Sequence, residues 1–241
     1  VPTFPDHALE LLGFGGEGWA AALLKAAAVT LALSLAGFAL GALIGALAAA
    51  ARLSGRLLLS LIADTYATVF RGVPDLLTIY FLYFGGSLAL TTLGHWFGAQ
   101  GFLGLPAFAT GTVALGIISG AYQAEVYRGA YLAVEKGQFD AGQAFGMTRL
   151  MMLRRIVAPQ LLRHALPGLG NVWQLVLKDS ALISVIGLVE LMRQAQIGAG
   201  STRQPFIFYI AAALLYFAIA SATGMFFGKA ERLTARGFRR G

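Results

Sequence analysis

Asp64, Thr68, Arg71 and Asp75 recur at i, i+4, i+7 and i+11 as the chain runs into apolar sequence. On a helix this spacing puts all four on one face. An ionisable side chain at membrane depth costs about 3 kcal/mol or more, so such residues face a bundle interior or a polar cavity. Two readings follow: an Arg71–Asp75 ion pair near an interface, or a polar stripe lining a translocation path. Arg71 supplies the planar fork that binds a carboxylate in bidentate geometry. Asp75 and Asp179 supply carboxylates for a cationic group, or neutralise Arg71 and Lys178. Gly72 and Pro74 should break or kink the helix where these charges cluster. Glu125 and Arg128, three apart, read as a structural pair.

Catalytic chemistry finds little else. His7, His95 and His164 fall on separate loops and match no metal spacing. The absence of cysteine excludes a disulfide framework, thiol catalysis and cysteine metal sites. There is no glycine-rich phosphate loop with Lys and Ser or Thr, so any ATP binds elsewhere. A membrane-embedded enzyme would need convergent His, Asp or Glu inside its spans, and only the sparse charges above are available.

The elements that position these residues follow from composition. Of 241 residues, 58% are hydrophobic and 12% charged, against about 25% charged in soluble domains. The chain is an integral membrane protein. Its net charge of +7 is expected of basic cytoplasmic loops rather than of nucleic-acid binding.

A hydrocarbon core of about 30 Å takes about 20 helical residues. Residues 26–51 carry no charge and form span one, whose Gly37, Gly41 and Gly45 mark a close-packing seam, offered to a neighbouring helix or another subunit. Residues 76–124 carry no charge and are too long for one helix. The polar, glycine-rich stretch 91–101 is expected to be a loop between span two, ending near Leu90, and span three, from Ala107 to Tyr131. Span four, Ala165 to Glu190, is interrupted by Pro167, Gly168, Gly170 and Lys178-Asp179. Phe206 to Gly228 is span five.

Five spans put the termini on opposite sides. Arg52, Arg56, Lys136, Arg149, Arg154, Arg155, Arg163, Lys229, Arg232, Arg236, Arg239 and Arg240 share one side, against Lys25, Arg193 and Arg203 on the other. The positive-inside rule makes the richer side cytoplasmic. The polar start, with Asp6, Glu10 and Glu17, lacks the basic region of a signal peptide.

Between spans three and four, residues 137–147 form a short helix pattern rich in small residues, with Gly146 suited to its C-terminal turn. A loop that spends some twenty residues this way is a docking site for a partner rather than a linker.

These residues resemble permease subunits of ATP-binding-cassette importers for polar amino acids. The loop is similar to the family's Glu-Ala-Ala…Gly…Ile-x-x-Pro motif, with Asp140, Ala141, Gly142, Gly146, Ile156 and Pro159 in register. Gly142 in place of Ala weakens the helix by up to about 1 kcal/mol. Val29-Thr-Leu, Arg52-Leu-Ser, Phe70-Arg-Gly-Val-Pro74, Ala121-Tyr-Gln-Ala-Glu-Val-Tyr-Arg-Gly129 and Leu177-Lys-Asp-Ser-Ala-Leu-Ile-Ser-Val-Ile-Gly187 extend the likeness over most of the chain. The segments 165–174 and 201–206 most resemble permeases for histidine, lysine, arginine and ornithine, and for octopine and nopaline.

The resemblance implies an all-α membrane protein with five transmembrane helices in a MetI-like fold, one permease domain over 1–241 holding a coupling loop at 137–160. It implies no cofactor on this chain. ATP and Mg would bind two copies of a partner ATPase, beside a second permease chain, different or identical, and a periplasmic solute-binding protein. The setting is the bacterial inner membrane, N-terminus periplasmic, with no nucleic-acid partner. ATPase coupling would fall to Asp140, Ala141, Gly142, Gly146, Met147, Ile156 and Pro159. The solute path would add Asn171, Gln174, Lys178 and Asp179 to the stripe of Asp64, Thr68, Arg71 and Asp75. The solute is a basic amino acid or an arginine-derived opine, with glutamine or another small polar solute as the alternative. A non-transporting scaffold would not need the buried charge.

Overall fold

The computed structural model describes residues 10–15 and 18–235. Asp6, His7, Glu17, Arg236, Arg239 and Arg240 lie outside the described residues. All regular structure among the described residues is helical.

Helix α1 (Ala20–Leu53) is followed by a turn in which Gly55 takes φ +71°. Helix α2 (Leu57–Gly72) stops where expected: Val73 is extended, as a residue before proline must be. Helix α3 (Asp75–Trp96) contains a π-helical stretch at Phe81–Gly85. It therefore runs through residues 91–96, which composition marked as loop. Its threonines explain the difference, because Thr91 and Thr92 donate to the carbonyls of Ser87 (2.8 Å) and Leu88 (2.9 Å) and so satisfy their hydroxyls inside the helix.

Helix α4 (Ala107–Leu132) leads to two short helices, α5 (Lys136–Ala144) and α6 (Arg149–Met152), and a π-helical turn, Leu153–Val157. Helix α7 (Ala158–Asp179) starts earlier than the expected fourth span and ends earlier, passing into a 3-10 segment, Ser180–Ile186. Pro167 lies inside α7 without ending it, and Lys178-Asp179 closes the helix rather than interrupting it. The glycines of α7 are packing positions: a Cβ on Gly168 would lie 2.9 Å from Val126 Cγ1, and one on Gly170 would lie 3.5 Å from Phe227. After Gly187 (φ +92°) come α8 (Leu191–Thr202) and α9 (Pro205–Ala235).

By length and composition α1, α3 and α9 can cross a membrane. At 26 and 22 residues, α4 and α7 have the length at about 1.5 Å per residue, but charges and small residues lower their hydropathy.

The chain divides into two compact units. The first takes residues up to 37, 75–115 and 176–221. Leu23, Leu191, Ala195 and Phe208 form its core, with Trp19 edge-on to Phe208 at 5.4 Å. The second takes 38–74, 116–175 and residues from 222 on. Here Ala48 and Ala63 pack on Ala124, while Ala130, Ala165 and Leu169 pack with Phe38 and Phe227. The span-one seam resolves within the chain: a Cβ on Gly45 would lie 2.9 Å from the Gly120 carbonyl, so α1 approaches α4 directly.

Candidate functional site

Helix α5 ends in a Schellman turn: Met147 N–H donates to Gly142 O at 3.0 Å and Gly146 N–H to Gln143 O at 2.9 Å. That turn needs a left-handed residue, and Gly146 supplies it at φ +70°. Thr148 then caps α6, its Oγ1 accepting from Met151 N at 3.3 Å. Gly142 is buried against the following turn; a Cβ there would lie 3.2 Å from Ile156 Cδ1 and 3.4 Å from Met152. Asp140, Ala141, Gly146 and Pro159 are exposed and Met147 is half-buried. The exposed surface also includes Phe145, 83% accessible at the tip of the turn, which motif reading passed over because it falls in the spacer before the motif's Gly146.

The polar stripe does not survive as one face. Because the helix breaks at Gly72–Pro74, Asp64, Thr68 and Arg71 stay on α2 while Asp75 begins α3. One of the two readings, an Arg71–Asp75 ion pair, gives way to a pair with α4, in which Arg71 Nη1 lies 2.9 Å from Glu125 Oε1. Glu125 also takes Arg52 Nη1 at 2.7 Å and Arg128 Nη2 at 3.1 Å, so the expected Glu125–Arg128 pair is one arm of a larger network. Arg52 reaches Asp64 through Nε, and Ser60 Oγ donates to Asp64 at 3.1 Å. Three guanidinium groups thus converge on one half-buried carboxylate, tying the end of α1 to α2 and α4. Thr68 is exposed.

Of the residues carried by α7, Asn171 and Lys178 are exposed and Gln174 is half-buried. Asp179, at the helix end, is different. Its Oδ2 is buried without a hydrogen-bond partner, a state shared among the described residues only by Thr112 Oγ1 and Trp173 Nε1. Asp75 and Asp179 lie within electrostatic reach of one another, as do Lys178 and Asp179. A buried carboxylate oxygen left unpaired costs free energy that a cationic hydrogen-bond donor would recover.

One buried acid escaped the sequence reading. Glu190, fully buried, caps α8 by accepting from Met192 N (2.9 Å) and Arg193 N (2.8 Å). It also accepts from Thr30 Oγ1 (3.2 Å) on α1 and from the Tyr216 hydroxyl (2.7 Å) on α9. The available signal was an acid placed three residues after the helix-breaking Gly187 and directly before a helical stretch. Among the described residues no group of three or more His, Cys, Asp or Glu is arranged to hold a metal ion.

Comparison with known proteins agrees with this architecture. The chain is 54% identical over 233 residues to the octopine transport system permease protein OccQ of Rhizobium meliloti, covering 97% of this chain and 98% of that one. It is 37% identical over 199 residues to the histidine/lysine/arginine/ornithine transport system permease protein HisQ of Escherichia coli, covering 83% and 87%. A crystal structure of an amino acid ABC transporter with histidines superposes with a TM-score of 0.75 at 34% identity, covering 89% and 94%. The inward-facing MetNI methionine ABC transporter shares the fold, with a TM-score of 0.64 at 17% identity and coverage of 97% and 99%. Residues 41–230 match the model for binding-protein-dependent transport system inner membrane components. The chain belongs to that family: it is a membrane permease component of a binding-protein-dependent transport system of the ATP-binding-cassette kind, a transport component and not an enzyme.

Proposed function

We propose that this permease carries a cationic amino acid or an arginine-derived opine inward, and that Asp179, with Asp75, receives the cationic end of the solute. The observation that carries this reading is the buried, unpaired Oδ2 of Asp179 beside a second carboxylate. A guanidinium offers several donors in one plane and suits such a pair. The likeness to octopine, nopaline and histidine/lysine/arginine/ornithine permeases supports the same solute class. Arg71, Asn171, Gln174 and Lys178 are assigned to the solute path.

The remaining assignments belong to the same proposal. Five helices cross the inner membrane, α1, α3, α4, α7 and α9, with the N-terminus periplasmic and the C-terminus cytoplasmic. The 137–160 loop then faces the cytoplasm. There Asp140, Ala141 and Phe145 meet one of two ATPase subunits, which bind ATP and Mg, while Gly142, Met147 and Ile156 stiffen the lever. A second permease chain completes the path and a periplasmic protein delivers the solute. Closure of the ATPases moves the loop, and the helices that begin and end there reorient around a site near the midplane.

The test is uptake into proteoliposomes holding the complete complex, with labelled arginine, octopine and glutamine supplied separately. Arginine or octopine uptake is expected, reduced more than tenfold by Asp179→Asn. Uptake of glutamine alone would overturn the solute class. Unchanged arginine and octopine uptake by Asp179→Asn would overturn the role of Asp179.

A further inference from the structure

The segment that follows Asp179 lacks the regular bonding of an α-helix. Ser180–Ile186 is a 3-10 run ended by the left-handed Gly187, and long 3-10 runs have poorer hydrogen-bond geometry. Something else must fix where Asp179 points. Ser180, fully buried, donates to Leu177 O at 2.7 Å, which pins its own side chain but only to the preceding turn. The tie to the surrounding helices comes from Tyr216, whose hydroxyl faces Ser180 and Thr30 and donates to Glu190 at 2.7 Å.

Glu190 is the hub of this arrangement. It holds the start of α8 by two backbone N–H groups, α1 by Thr30 and α9 by Tyr216. Thr30 reinforces the same joint, its Oγ1 accepting from Leu191 N at 3.0 Å while Ser34 Oγ donates to the Thr30 carbonyl at 2.8 Å. Thr30, Ser34, Ser180, Glu190 and Leu191 are all fully buried. An N-cap alone does not require this: a serine or aspartate facing solvent caps a helix equally well. A fully buried acid bonded to three helices, one of them through a tyrosine hydroxyl that faces the residue after Asp179, does more than cap.

We propose that Glu190 is a positioning residue for solute recognition, fixing Asp179 through Tyr216 and Ser180 so that its carboxylate is held in the geometry that selects a cationic solute. The proposal rests on the assignment of Asp179 to the cationic end. It separates two effects that a merely structural acid would merge. Loss of general packing weakens every solute alike, whereas misplacing Asp179 weakens only solutes that need its charge.

The experiment measures equilibrium binding of labelled arginine and of citrulline, its neutral isostere, to the purified permease–ATPase complex in lipid nanodiscs, without the binding protein. Tyr216→Phe removes one hydroxyl and Glu190→Gln replaces one acceptor oxygen by a donor facing other donors. Each is expected to weaken arginine at least tenfold while citrulline changes less than twofold, reproducing the pattern of Asp179→Asn. Tyr216→Phe is the smaller change and carries the test alone where Glu190→Gln fails to assemble. If Asp179→Asn weakens arginine but Tyr216→Phe does not, the positioning role is overturned. Equal weakening of arginine and citrulline by Tyr216→Phe also overturns it. If Asp179→Asn leaves arginine binding unchanged, the assignment of Asp179 fails and the proposal fails with it.

Discussion

Arg52 Nη1 lies 2.7 Å from Glu125 Oε1, and the same oxygen accepts Arg71 Nη1 at 2.9 Å. One carboxylate on α4 therefore joins the last turn of α1 to the last turn of α2. Arg52 is the more buried of the two, 14% exposed against 42% for Arg71, and it also holds Asp64. A fork that bridges two carboxylates through different nitrogens is not replaced by the point charge of lysine.

Arg52→Gln is accordingly expected to cost more stability than Arg71→Gln. Charged hydrogen bonds of this kind contribute about 1.5–3 kcal/mol each, and exposure lowers the figure for Arg71. Thermal unfolding of the purified complex in detergent checks the order. A lower melting temperature for Arg71→Gln than for Arg52→Gln would show that the bridge to Asp64 and Glu125 is not what fixes this corner.

Gly142 and Gly146 constrain the coupling loop in different ways. A Cβ on Gly142 would meet the flexible end of Ile156 at 3.2 Å, and alanine gains about 1 kcal/mol of helix propensity. Gly142→Ala should leave uptake within about twofold of wild type, whereas Gly142→Leu should separate α5 from the Leu153–Val157 turn and lower uptake together with solute-stimulated ATPase activity. Normal coupling in an assembled Gly142→Leu complex would show that this contact is not part of the lever.

At Gly146 the limit is the backbone. A Cβ there meets nothing within 4 Å, but φ is +70°, which costs an L-residue about 1–2 kcal/mol. Gly146→Ala and Gly146→Trp are expected to uncouple the complex to similar degrees, and Gly146→Asn to retain more activity, since asparagine tolerates this conformation. Asp140→Lys, with ordinary backbone, should uncouple through charge. Solute-stimulated ATPase activity reads all four, and a bulk-dependent series from Ala to Trp would argue against the backbone explanation.

The loop was legible in sequence because its signals are local: a run of small residues, then glycine where the chain must turn left-handed. Spans one and five were legible for the same reason, as charge-free runs of helical length, and α4 as a long helical stretch whose charges, Glu125 and Arg128, fall only in its last two turns. The stripe from Asp64 to Asp75 misled because a spacing argument assumes one continuous helix, and Pro74 forces Val73 out of it. Residues 91–96 misled in the other direction, since threonines that bond back to the preceding turn are compatible with helix. Glu190 was hidden for a different reason. Its partners Thr30 and Tyr216 are 160 and 26 residues away, and no period in the sequence links them.

Orientation is testable because the chain contains no cysteine. A cysteine is best kept off left-handed backbone such as Gly98, with φ +83°. Gln100 and Gln143 are exposed and serve instead. With twelve basic residues on the loop side, Gln100→Cys should react with an impermeant maleimide added to spheroplasts, and Gln143→Cys only after permeabilisation. The reverse labelling would overturn the orientation proposed from loop charge.

The last prediction concerns the carboxylate end of the solute. Arg71 donates to Glu125 through Nη1, stacks 5.8 Å above the Tyr122 ring and remains 42% exposed. Lysine in its place keeps a charge for Glu125 and for the ring but cannot present two parallel donors. If the exposed edge of the guanidinium receives the solute carboxylate, Arg71→Lys should lower uptake about tenfold, the loss of about 1.4 kcal/mol, in a complex that still assembles. Uptake at limiting solute and the unfolding temperature should be measured on the same preparation, because the two roles part there. A fall in uptake at unchanged stability places Arg71 in the path. Unchanged uptake makes it a member of the Glu125 network alone, with the carboxylate held by other residues.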